Sequence, residues 1–124
     1  MVRGIRGAIT IENNTEQEIT EASTELCQVL IQQNQIDPET VAQVLFTVTE
    51  DVTAAFPAKV LREFPGWSFV PVVCAQEIPV PGSLPLCIRV LLTVNTEVKQ
   101  DEIEHAYLRD AIKLRPDLTL TNDR

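Results

Sequence analysis

The chain has 124 residues, 44% of them apolar and 23% charged, with 8 Pro and 4 Gly. That is the balance of a single globular domain, 1–124, and at this length roughly two thirds of the unfolded chain's surface can be buried without metal or disulfide staples. A net charge of −8 repels nucleic acid and anionic lipid, and no apolar run nears the roughly 20 residues of a bilayer span.

The start, Met1 to Arg6, has no continuous apolar h-region and no small-residue cleavage site, so the chain reads as cytoplasmic. Residues 2–11, VRGIRGAITI, are β-branched and Gly-rich and predict a first strand whose glycines admit close neighbours. Thr15 with Glu18 fits a capping box, and Ile19, Ala22, Leu26, Val29 and Leu30 recur at helical spacing, predicting a helix over 15–34. Asp37-Pro38-Glu39 opens a short helical turn. A second strand is expected over 42–49, then a loop to Phe56-Pro57 and a short helix over 58–64 that ends at Pro65-Gly66. Trp67 to Glu77 reads as a third strand, with Pro71 marking an edge or a bulge.

Ile78 to Pro85 is a proline-stiffened loop. Residues 87–94, CIRVLLTV, form a fourth strand that is apolar on both faces apart from Arg89 and Thr93. A helical turn is expected within 98–105. Tyr107 to Leu114 fits a strand or a helix equally. From Arg115 the chain is polar, which predicts a loosely held tail, flexible from about 117. The fold class is therefore α+β, a mixed β-sheet with one long helix packed on one face. One helix cannot cover both faces of such a sheet, so the doubly apolar fourth strand predicts burial of the second face against another subunit.

Conventional catalytic equipment is scarce. Cys27, Cys74 and Cys87 form no CxxC pair, and His105 is the single histidine, which removes the usual zinc, dithiol and His-dependent nucleophile arrangements. Charge is segregated: nine acidic residues and no basic one lie between Glu12 and Ala58, while Arg3, Arg6, Lys59, Arg62, Arg89 and Arg115 lie elsewhere. That pattern fits either scattered surface charge or a local anion site. Arg89, set among Ile88, Val90, Leu91 and Leu92, sits where burial is expected and needs an anionic partner, for which Glu77 is the nearest candidate. The two could form a plain ion pair, or a half-satisfied fork that a bound oxyanion completes. Taken singly, Cys74, His105, Tyr107, Phe56 and Trp67 read as packing or solvated positions.

Together, R-G-I-R-G-A at 3–8, F-P-A-K at 56–59 with Arg62, G-W at 66–67, V-P-V-V-C-A-Q-E at 70–77, C-I-R-V at 87–90, Y-L at 107–108 and L-R-P-D-L at 114–118 resemble the small monofunctional chorismate mutases of the trimeric pseudo-α/β-barrel class. The resemblance runs nearly end to end with motif order kept. It implies the Claisen rearrangement of chorismate to prephenate, without metal or organic cofactor, in clefts between adjacent subunits of a homotrimer. A unimolecular pericyclic shift needs no nucleophile or proton shuttle, only a held conformer and stabilised charge separation.

By the same resemblance, Arg89 matches the arginine that donates to the ether oxygen, and Glu77 the carboxylate near the substrate hydroxyl and ring. Arg6 matches a carboxylate-binding arginine and Tyr107 a neighbouring hydrogen-bonding tyrosine. Phe56, Ala58 and Lys59 match a wall supplied by the adjacent subunit, and Val72, Val73 and Cys74 the strand lining the site. Arg62 and Arg115 match cations near the entrance, and Leu114 belongs to the closing segment. Val73 departs from the family, where threonine is common. Two competing readings are an imine- or enamine-hydrolysing trimer and a non-enzymatic sensor of small anions.

Overall fold

The computed structural model describes residues 1–114, so Arg115 and the expected tail lie outside the described residues. Five strands, β1 (Val2–Thr10), β2 (Val41–Val48), β3 (Val72–Gln76), β4 (Cys87–Asn95) and β5 (Ala106–Leu108), form one mixed sheet in the order β3-β2-β4-β1-β5. β4 pairs antiparallel with both β1 and β2, whereas β5 joins β1 and β3 joins β2 in parallel. The edge position expected from Pro71 is occupied by β3, whose ladder starts one residue after that proline.

The single α-helix among the described residues, α1 (Glu16–Asn34), begins as its sequence dictates. Thr15 Oγ1 accepts from the Glu18 N–H, and the Glu18 carboxylate accepts from the N–H groups of Glu12 and Asn13. Its buried stripe of Ile19, Ala22, Leu26 and Leu30 packs on Ile5, Ile9, Val44, Phe46, Ile88, Val90 and Leu92. Period-two alternation puts those sheet residues on one face. β1 approaches α1 closely because Gly7 has no side chain: a Cβ there would lie 2.7 Å from Leu30 Cδ1 and 2.9 Å from Leu26 Cδ1.

Among the described residues, the opposite face carries only a small cluster of Ala8, Cys87 and Ala111, flanked by Leu84, Tyr107 and Leu114. Leu91 on this face remains 40% exposed. By the described residues of one chain the second face is therefore largely uncovered.

Several local expectations are corrected. The third strand is five residues, not the stretch 67–77, because Trp67 and Val70 donate backward to Phe64 and Trp67 in consecutive turns. The short helix after Phe56 is a 3₁₀ helix over Pro57–Glu63 that opens on proline. The turn expected within 98–105 is limited to Gln100–Glu102. Tyr107–Leu114, open between strand and helix, is both: β5 ends at Leu108, Arg109 adopts a left-handed φ of 56°, and a 3₁₀ segment runs from Arg109 to Leu114. Arg109 is pinned there by hydrogen bonds to Thr10 O and the Glu25 carboxylate.

Candidate active site

A cleft of about 290 Å³ opens on the uncovered face of the sheet, lined by Arg6 and Ala8 of β1, Leu45 and Thr47 of β2, and Arg89 and Leu91 of β4, with Glu77, Tyr107 and Leu114. Strand register explains the convergence. Arg89 pairs with Thr47 on one side and Ala8 on the other, and Ala8 pairs with Tyr107. Glu77 leaves β3 at the same level, its N–H held 2.8 Å from Val48 O.

Arg89 is less buried than its apolar neighbours suggest: its side chain is 37% exposed because the cleft opens above it. Its Nε nevertheless is buried and has no hydrogen-bond partner. The closest anion is Glu77 Oε2 at 3.7 Å, an ion-pair distance too long for a hydrogen bond. The Glu77 carboxylate accepts instead from the Thr47 hydroxyl. The Arg89 side chain thus lines the cleft with part of its bonding capacity unspent, which is the chemistry expected of an oxyanion subsite.

The start of β4 is fixed by a second polar network. Asp51 accepts the Leu86 N–H with both carboxylate oxygens at 3.1 Å and the Thr49 hydroxyl at 2.5 Å, and that hydroxyl accepts the Cys87 N–H at 3.0 Å. Leu86, at a left-handed φ of 50°, needs this anchoring. Burial pushes the Cys87 thiol up, and burial of Cys27 pushes it up to about 12, so neither thiol is poised as a nucleophile. His105 is engaged in structure, its Nδ1 accepting the Arg6 N–H at 3.0 Å.

The remaining expected site residues lie apart. Phe56, Ala58, Lys59, Arg62, Val72, Val73 and Cys74 line a separate groove of about 470 Å³ where the 3₁₀ helix meets the edge strand β3. Its lining shares no residue with the Arg89 cleft. Phe56 is 71% and Val73 62% exposed. Sequence reading missed Thr47, Thr49 and Asp51. Thr47 was within reach, since Gln43, Leu45 and Thr47 alternate with the apolar Val44, Phe46 and Val48 and so mark the open face of β2.

Among the described residues, a mixed sheet carrying one α-helix and an arginine-lined cleft defines a small α+β protein. The comparisons narrow that class. The family described as chorismate mutase type I matches residues 2–118. A Bacillus subtilis (strain 168) protein named chorismate mutase AroH is 50% identical over 123 residues, 99% of this chain and 97% of the relative. A Thermus thermophilus protein of the same name is 53% identical over 119 residues, covering 95% and 97%. A solved chorismate mutase from Clostridium thermocellum superposes with a TM-score of 0.84 at 40% identity, over 88% of this chain and 96% of the other. The chain belongs to the type I chorismate mutase family.

Proposed function

We propose that this chain converts chorismate to prephenate by an intramolecular Claisen rearrangement, a step toward aromatic amino acids. The observation that carries the mechanism is Arg89 lining a cleft beside Glu77 with its Nε unbonded. In the rearrangement the ether C–O bond breaks as a new C–C bond forms, so negative charge grows on the departing oxygen and positive charge on the ring. Arg89 supplies a fixed donor to that oxygen, and Glu77 accepts from the ring hydroxyl and faces the growing positive charge. Arg6 binds a carboxylate and Tyr107 donates nearby, which restricts the flexible dianion to its compact chair conformer. No proton changes hands.

The working assembly is a cytoplasmic homotrimer of single-domain chains, with no nucleic acid or membrane partner. Among the described residues no helix is long and apolar enough to cross a membrane. The groove of Phe56, Ala58, Lys59 and Arg62 with Val72, Val73 and Cys74 serves as the second wall of a neighbour's cleft. Arg62, Leu114 and Arg115 close over the dianion. Separation of the two linings within one chain, and the uncovered sheet face, support this reading.

The test is spectrophotometric. Purified protein should deplete chorismate absorbance with stoichiometric prephenate. Saturable chorismate binding without turnover would make the chain an anion sensor, and hydrolysis of imines in place of rearrangement would place it among the related water-activating trimers.

A further inference from the structure

We propose that Thr47 is a positioning residue that holds the Glu77 carboxylate away from Arg89, keeping the Arg89 guanidinium free for substrate. The inference rests on the reading of this cleft as the active site, and it concerns a residue outside the motifs that carry the family resemblance.

Arg89 and Glu77 are close enough to attract one another, yet the buried Nε is unbonded at 3.7 Å from Oε2. Left to Coulomb attraction, a guanidinium and a carboxylate in a half-buried site close to a charge-assisted hydrogen bond. The contact that competes is the hydroxyl of Thr47, which donates to that same Oε2. Thr47 is well placed to do so. It is half-buried near the C-terminal end of β2, and its backbone is in register with Arg89. The Glu77 backbone is tied to Val48, the residue that follows Thr47. The carboxylate is therefore tethered at its main chain and at one oxygen by adjacent residues of one strand. Its other oxygen is left to accept from a ligand hydroxyl.

If the hydroxyl is removed, Glu77 is released to pair with Arg89 Nε and becomes an internal competitor for the incoming oxyanion. A pair that substrate must break raises KM more than it lowers kcat. Thr47→Val is isosteric and β-branched in a strand, so folding should be retained; Thr47→Ala serves as a second variant free of the added methyl.

The decisive measurement needs no turnover. With ¹⁵N-labelled arginine, the Arg89 Nε–H proton of the unliganded protein should move downfield and gain protection from exchange in Thr47→Val and Thr47→Ala. In Thr47→Ser it should match wild type. In steady state, Thr47→Val should raise KM for chorismate by about tenfold, the scale of one hydrogen bond to a charged group, with kcat within about threefold and with Ser restoring both. An unmoved Nε–H signal in both hydroxyl-free variants, or Ser behaving as Val does, overturns the proposal. Near-wild-type activity of Arg89→Ala would instead overturn the reading of the cleft, and the Nε–H signal would still decide the role of Thr47.

Discussion

Arg89 combines two properties that set the direction of its substitutions. Its side chain lines the cleft with the Nε unbonded, which leaves bonding capacity for a ligand, and that side chain is 37% exposed, so little of the fold depends on it. A surface-accessible ion pair at 3.7 Å contributes at most about 1 kcal/mol to stability. Arg89→Ala should therefore lower kcat by at least about 10²–10³, the loss typical of removing one preorganised donor, with the unfolding midpoint almost unchanged. Arg89→Lys should stay poor, because a point charge cannot reproduce the planar fork. Steady-state kinetics beside a denaturant titration check both; an alanine variant as fast as wild type rules out the electrostatic mechanism. Cys74 gives a contrasting case. It lies at the outer edge of the sheet, away from the Arg89 cleft, and Cys74→Ser should change kcat by less than about tenfold, a weak polar contact replaced by another. A larger loss would bring a thiol-dependent step back into play.

At the scale of elements, the position of the cleft depends on how closely α1 can sit on β1. Gly7 lies between Arg6 and Ala8, both of which line the cleft from the other side of the strand. Gly7→Ala would place a methyl 2.7–2.9 Å from the Cδ1 atoms of Leu30 and Leu26. Both leucines are fully buried, so either they leave their rotamers or the helix moves away. Overpacking of this kind costs about 1–3 kcal/mol. Urea unfolding of Gly7→Ala should show a lower midpoint at unchanged m-value; an unchanged midpoint would mean that the two leucines repack freely. Elements of this size differ in how far local signals define them. Thr15, Glu18 and the apolar stripe are local, and α1 falls one residue inside its expected range. β4 was likewise legible from its run of branched residues, whereas β3 was overestimated because turns at Trp67 and Val70 arise from contacts rather than composition. β5, three residues long, has too few positions for any period, and it exists because β1 offers it a free edge. Arg6, Glu77, Arg89 and Tyr107 were identifiable as residue types matching a family pattern. Their convergence depends on the order β3-β2-β4-β1-β5, which no local signal encodes.

At the scale of the whole molecule, the chain presents two separate linings: an arginine-bearing cleft on one sheet face, and a groove with Phe56, Lys59 and Arg62 at the sheet edge. In the proposed closed ring of three copies, the cleft of one chain meets the groove of the next by a heterologous contact, the kind cyclic symmetry repeats around its axis. This arrangement makes a prediction that a self-contained site does not. Arg89→Ala disables the cleft half, and Lys59→Glu disables the groove half by setting a negative charge against a dianion. Each homogeneous variant should be nearly inactive. When the two are unfolded together and refolded as a mixture, random assembly gives about a quarter of all clefts two intact halves, and activity should return to about that fraction of wild type. Recovery must appear only after co-refolding, since folded trimers merely mixed keep their original partners until they exchange subunits. A mixture no more active than its two inactive components would place Arg89 and Lys59 in the site of one chain, whereas a fully active Lys59→Glu variant would make Lys59 a surface residue without a part in the reaction.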